Sequence, residues 1–343
     1  MTAHGAAALT VLSVSGRPDV GADILSGTPW DGAVATPLAQ DASVRRYVRL
    51  TKPDGSTAIL ATDPSPESRE TFAALSAHLR GLGLSAPRVL SVDDAAGMML
   101  LEDLGDALYP KVIVAAPASE YSLYSEAIDA ILTYSGATPP ELTPLDAKTM
   151  AAQNMIAFEW YADHPAPALQ DRLEDVFAAH ISPPHALMLR DVHADNLIWL
   201  PDRTGIARVG LLDFQDAMLC SRLYDVVSLI EDARRDLSPG LSDALYAKVA
   251  DRLGLSLADV RTEAAALSLQ RNLRILGVFA RLCLRDGKAS YLAFIPRVWG
   301  YIQRALVHLG NPGLTDAVRA ALPEPSPDRL QALEAACGTI QKR

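Results

Sequence analysis

Residues 186–217 read ALMLRDVHADNLIWLPDRTGIARVGLLDFQDA. Leu187–Leu189 is a short apolar strand that leads to Asp191. Leu197–Leu200 is a second strand, Pro201-Asp202-Arg203-Thr204-Gly205 has turn composition, and Ala207–Leu212 is a third strand ending at Asp213. The last two pair as an antiparallel hairpin. Asn196 precedes one arm and Asp213 follows the other, so pairing sets them side by side at the open end. Asp191 reaches the same place through a five-residue step. Two acids and an amide oxygen at the edge of a small sheet suit Mg²⁺, which takes few hard oxygen ligands and keeps sites for phosphate and water. A carboxylate that stays off the metal can accept a hydroxyl proton, the division of labour in phosphoryl transfer. Within the loop, His193 orients Asp191 or touches substrate, and Asp195 caps the turn.

The first part of the chain, to about Leu104, reads as strand-rich and the remainder mainly as helices. Thr36–Thr62 carries three short strands, with Pro53-Asp54-Gly55-Ser56 as the turn between the last two. Glu67–Leu82 is a helix with Phe72, Leu75 and Leu79 on one face. Pro87–Val92 and Gly97–Leu101 form a further hairpin. After Leu104 the period changes. Ser119 caps a helix whose face carries Leu123, Ala127, Ile131 and Tyr134. Further helices are expected over 147–162, 169–180, 224–235, 241–253 and 257–284. The long last one, with Leu267, Leu273, Leu276 and Phe279, reads as packing only. The 343 residues suffice for about two domains at roughly 150 residues each, and the change of pattern places them at 1–103 and 104–343.

A hydrophobic share of 49% with 21% charged residues is ordinary for a packed protein. The net charge of −10 argues against a nucleic-acid partner, which needs a cationic surface. It leaves a metal-bound nucleotide open. Cys220, Cys283 and Cys337 are odd in number and far apart in sequence, which suggests neither a disulfide framework nor a zinc cluster. No run of 18 apolar residues marks a membrane span. Ala6–Val14 is mildly apolar, but no Lys or Arg precedes it and no cleavage site follows. A cytoplasmic protein with a frayed or over-long N-terminus is expected.

The spacing Asp191-x-x-x-x-Asn196 followed by Asp213-Phe214-Gln215 resembles the catalytic loop and metal-binding segment of the protein-kinase-like fold. Arg190–Asn196, Leu212–Ala217 and Tyr224–Leu229 together resemble the aminoglycoside phosphotransferase family. Within it, they are most similar to the bacterial anomeric kinases of N-acetylmuramate and N-acetylglucosamine that serve cell-wall recycling. Asp41–Tyr47 lies where that family has its phosphate-covering loop, and Leu100–Gly105 where it has its hinge. The resemblance covers about residues 30–310. It implies an α+β, bilobal fold with a small N-terminal antiparallel sheet plus one helix and a large helical lobe. It implies ATP and Mg²⁺ as cofactors, and a small sugar or alcohol acceptor whose anomeric hydroxyl is phosphorylated. By the same resemblance Asp191 is the catalytic base, and Asn196 and Asp213 hold Mg²⁺. Backbone groups from Glu102 to Leu104 bind adenine. Ala42 and Ser43 cover the phosphates with Arg45 or Arg46 nearby, and Asp225 braces the catalytic loop.

Two positions depart from the family pattern. Leu189 stands where a His is usual, and no Lys lies between Thr57 and Thr62 where a phosphate-binding Lys belongs. A cation is still needed there to neutralise developing charge. Arg45 is the expected substitute. Strand alternation groups Arg45, Tyr47 and Arg49 on one face and Arg46 on the other. Glu159, on the Glu159-Trp160-Tyr161 segment, is a candidate sugar contact, with core packing as the alternative for that segment. Net charge favours cationic acceptors by steering, while the motifs favour acetylated sugars and carry more weight. Two other classes stay in view. A kinase-like module that only binds nucleotide follows from the missing Lys, and a metal-dependent phosphohydrolase from Asp191-x-His193. The first would need no base, and the second would need more His ligands.

Overall fold

The computed structural model describes residues 25–38 and 45–340. They fall into two compact units. The N-terminal unit takes the described residues up to Pro117 and, later, Asp195–Gln215; the helical unit takes Ala118–Ala194 and the chain from Asp216 onward. This division differs from a single break at 103. The reason lies in backbone bonds: Ser85 bridges Gly210, Leu108 bridges Ile198, and the Trp199 amide donates to the Ala107 carbonyl at 2.8 Å.

In the N-terminal unit, β1 (Val34–Pro37), β2 (Arg46–Thr51), β3 (Thr57–Thr62), β4 (Val89–Asp93) and β5 (Met98–Glu102) form an antiparallel sheet in the order β1-β2-β3-β5-β4. The β2–β3 turn closes where Lys52 and Ser56 pair. It needs Gly55, whose φ of +84° suits a residue without Cβ. Helix α1 (Pro66–Gly81) starts at Ser65, whose hydroxyl accepts from the Ser68 amide, with Pro66 and Glu67 in the first turn. Its Phe72, Leu75 and Leu79 are buried. Leu50, Ala58, Leu60, Met98 and Leu100 form a buried cluster against which Trp30 and Val48 pack. A short α2 (Tyr109–Ala115), absent from the sequence reading, ends this segment.

The helical unit opens with α3 (Glu120–Gly136). Ser119 stands at its cap position as expected, but its side chain makes no capping bond; a 3₁₀ turn at Pro117–Ser119 leads in instead. Then come α4 (Ala147–Ile156), a π-helical turn at Ala157–Tyr161, and α5 (Pro167–His180). Strand β6 (Ala186–Met188) follows. Next, β7 (Leu197–Trp199) and β8 (Val209–Leu211) make the expected hairpin within the N-terminal unit, with Leu197 opposite Leu211. Strand β9 (Met218–Cys220) returns to pair with β6, a pairing the sequence reading lacks.

The rest is helical: α6 (Tyr224–Ile230), α7 (Leu241–Leu253), α8 (Leu257–Leu284), α9 (Ile295–Leu309), α10 (Pro312–Ala321) and α11 (Pro327–Ala335). Helix α6 stops at Ile230, short of the expected 235. Glu231 leaves helical geometry, its carboxylate held by Ser268 and Asn272, and Asp232 caps the Arg234 amide at 2.8 Å. The structure also brings Cys283 and Cys337 together, distant in sequence though they are. The Cys337 thiol donates to the Cys283 carbonyl at 3.2 Å, and both remain free thiols.

Helix α8 crosses the π turn at Gly277, which explains why the 147–162 helix is not uniform. A Cβ on Gly277 would lie 2.4 Å from the Ile156 carbonyl carbon and 2.5 Å from the Ala157 nitrogen. Gly277→Ala should therefore destabilise the protein by about 1–2 kcal/mol, because overpacking against backbone outweighs the gain of about 1 kcal/mol in helix propensity. Urea unfolding checks this, and a raised midpoint would contradict it.

Candidate active site

The loop from Leu189 to Ala194 belongs to the helical unit and is anchored from the start of α6. The Asp225 carboxylate accepts from the Leu189 amide at 2.6 Å, the Arg190 amide at 2.9 Å and the Tyr134 hydroxyl at 2.7 Å. Arg190 adopts φ +79° and the Asp191 amide donates to the Leu189 carbonyl at 3.0 Å, so the chain turns sharply just before Asp191. Leu189 itself is buried. The brace on this loop is thus a carboxylate at a helix start, the role that the resemblance implies for Asp225. Tyr134, read from the sequence only as an apolar face, is its partner.

Burial pushes Asp225 up from 3.8 to about 6, against the pull of its three donors. Its folded value is raised, so the stability linked to it is full below pH 3.8 and lost as pH rises to about 6. Asp225→Asn cannot accept from both amides and should lose about 1–3 kcal/mol through the orphaned donor. It also removes the titration. The advantage of the native protein over the variant should therefore shrink by up to about 3 kcal/mol between pH 4 and pH 7. Denaturation across that range measures it, and a constant gap would contradict the assignment.

His193 is buried in the same loop. Burial, then the charges of Arg234 and Arg271, hold its basicity well below the ordinary imidazole range, so it is neutral at pH 7. Glu159 lies exposed on the π turn, while Phe158 and Tyr161 beside it are buried. Among the described residues of the helical unit, no hydrogen bond or ion pair ties Glu159 to the loop.

The other motif residues lie in the N-terminal unit. Leu212 donates its amide to the Asn196 carbonyl at 3.0 Å, so Asn196 faces Leu212 and Asp213 is one residue further on. Asp213 adopts φ +57° and accepts from the Gln215 side-chain amide at 2.8 Å. Phe214 turns inward and stacks on Phe72 at 4.7 Å, which fixes the segment against α1. Arg45 is bonded to Asp63 at 2.7 Å and Ser68 at 2.9 Å, and its guanidinium reaches to 3.8 Å from Asp213. Burial, then the Asp213 carboxylate, raise the Tyr47 phenol to about 12. The face of β2 bearing Arg45 and Tyr47 is therefore the one turned to Asp213. Arg49, in the same alternation, is taken by Asp103 and Asp106, and Arg46 is exposed.

At the expected hinge, the Glu102 amide donates to the Arg88 carbonyl at 2.8 Å, and its carboxylate receives Arg80, Arg203 and the Arg88 amide. That N–H is committed to the sheet, which removes it from the adenine contacts expected at Glu102. Leu104 is buried and packs close to Gly210. Ala42 and Ser43 lie outside the described residues. Among the described residues no group of three or more His, Cys, Asp or Glu side chains is placed to hold a metal, and no helix is long and apolar enough to cross a membrane.

A small antiparallel sheet packed with helix α1, and an Asp-x-x-x-x-Asn segment whose turn before Asp191 is braced from a helix start, define a phosphotransferase of protein-kinase-like fold. Residues 34–267 match the phosphotransferase enzyme family (APH), and the chain belongs to that family. A curated N-acetylmuramate/N-acetylglucosamine kinase of Caulobacter vibrioides is 35% identical, over 88% of this chain and 95% of its own length. One from Pseudomonas aeruginosa is 30% identical over 84% of this chain and 88% of its own. A choline/ethanolamine kinase family protein from Mesorhizobium loti shares the fold with a TM-score of 0.58 at 15% identity, covering 92% of this chain and 99% of that one.

Proposed function

We propose that the protein transfers the γ-phosphoryl group of ATP to the anomeric hydroxyl of N-acetylmuramate, N-acetylglucosamine or both, in the cytoplasm. The observation that carries this reading is the Asp225-braced turn that presents Asp191, in a chain 35% identical to a kinase of that name. Asp191 accepts the proton of the attacking hydroxyl. Asn196 and Asp213 supply hard oxygen donors that fit Mg²⁺, which when bound neutralises charge on the transferring phosphate. Arg45, held by Asp63 and Ser68 and directed to Asp213, takes the part of the missing Lys. An anomeric hydroxyl is more acidic than an ordinary alcohol and the transition state is loose, so positioning contributes more than base strength.

The test is ATP consumption with Mg²⁺ against N-acetylmuramate, N-acetylglucosamine, glucose, kanamycin and choline, with products assigned by phosphorus NMR. A sugar 1-phosphate from either acetylated sugar is the expected result. Turnover of kanamycin or choline alone would move the substrate class. Nucleotide binding without any turnover would point to a binding module instead.

A further inference from the structure

Helix α8 carries Arg271 and Arg274, one turn apart and so on one face. Arg271 is only 4% exposed. Its guanidinium donates to the main-chain carbonyl of Glu231 at 3.1 Å, while the Glu231 carboxylate is held by Ser268 at 2.6 Å and Asn272 at 2.8 Å. The Nε groups of Arg271 and Arg274 and the Nδ1 of His193 are buried without a hydrogen-bond partner among the described residues. Glu231 directly follows α6, the helix whose Asp225 and Ser228 hold the backbone of Leu189 and Arg190. The arginine face of α8 is therefore turned to the loop that bears Asp191.

Electrostatics agree. Arg271 is one cause of the depressed basicity of His193. Burial works against the charge on Arg274, yet Tyr224 and the Asp191 and Asp216 carboxylates more than compensate. Buried guanidinium groups with unpartnered donors are costly unless an acceptor reaches them, and paired N–H donors match a carboxylate.

We propose that Arg271 and Arg274, with the ring of His193, form the part of the acceptor site that receives a carboxylate borne by the sugar. The proposal rests on the sugar-kinase reading above. N-acetylmuramate has such a carboxylate, on the ether at C3; N-acetylglucosamine has a hydroxyl there. The two arginines thereby set which of the two sugars is preferred.

Two measurements test this. The first is the ratio of kcat/KM for N-acetylmuramate to that for N-acetylglucosamine in the native enzyme, in Arg271→Gln and Arg274→Gln, and in the Lys variants. The ratio should fall at least tenfold in a Gln variant and recover in part with Lys. An unchanged ratio, or equal losses on both sugars as a phosphate-binding or purely structural arginine would give, overturns the proposal. The second needs no variant: binding of N-acetylmuramate and its methyl ester to the native protein with a non-hydrolysable ATP analogue, by calorimetry. The acid should bind at least tenfold more tightly, and equal affinities overturn the proposal. Sugar turnover with no preference for the carboxylate defeats this proposal alone; absence of any sugar binding or turnover defeats the sugar-kinase reading with it.

Discussion

Asp191→Asn should lower kcat by about 10²–10⁴-fold, the range lost when a positioned general base is removed, while nucleotide affinity holds. Asn has the same shape, and the amide bonds from Leu189 and Arg190 that present the loop go to Asp225 rather than to residue 191. The substitution therefore leaves the turn intact and removes only the proton acceptor. Since an anomeric hydroxyl is comparatively acidic, the loss should fall toward the lower end and shrink as pH rises. Single-turnover rates and nucleotide titration over a pH series separate the two effects. Near-native turnover in the variant would dismiss Asp191 as base.

Asp213→Asn should weaken binding of Mg·ATP by at least about tenfold, roughly 1.4 kcal/mol, with little change in stability. The choice of Asn matters. Asp213 sits at φ +57°, a region Asn and Asp tolerate better than Ala does, so Asn keeps the backbone while removing the charge. The neighbouring guanidinium of Arg45, at 3.8 Å, also loses a counter-charge, but it keeps Asp63 and Ser68. Titration of nucleotide at several Mg²⁺ concentrations is the measurement. Affinity that remains as high and as Mg²⁺-dependent as in the native protein would refute a metal role for Asp213. The phenol of Tyr47 gives a second readout, because Asp213 contributes to its raised pKa; the variant should lower it.

Periodic segments were legible in the sequence because their cause is local. The Pro53–Ser56 turn, the α1 face and the bounds of α7 and α8 all follow from turn residues, caps and apolar spacing. Where tertiary contacts decide, the reading failed. Helix α6 ends early because Ser268 and Asn272 capture Glu231, residues far along the chain. The π turn at 157–161 answers to Gly277, which no local pattern connects to it. The pairing of β6 with β9 joins two three-residue strands too short to announce a partner.

The same split runs through the site. Asp191, Asn196 and Asp213 stand out by spacing, whereas alternation groups Arg45 with Tyr47 and Arg49 without saying which face turns inward. The adenine contacts of backbone groups from Glu102 to Leu104 follow only from the resemblance, and of these groups the Glu102 amide donates to the Arg88 carbonyl. Arg271 and Arg274 were hidden inside a helix whose leucines mark it as core. Two arginines three residues apart, beside the buried Gln270 and Asn272 in a helix rich in leucine, are the available signal.

The hairpin of β7 and β8 has a consequence for how this chain can be divided. The N-terminal unit draws Asp195–Gln215 from far along the chain, and Arg203 and Ser85 fasten it through Glu102 and the Ala207 carbonyl. A fragment ending anywhere between 103 and 194 lacks those strands, leaving the amide of Leu211 and the carbonyl of Ser85 without each other. No single cut releases the N-terminal unit intact, so swapping it between relatives requires two segments to be exchanged together. The loop bearing Asp191 ends where the chain passes from one unit into the other at Ala194–Asp195, so an exchange of the Asp195–Gln215 segment brings Asn196 and Asp213 across without Asp191.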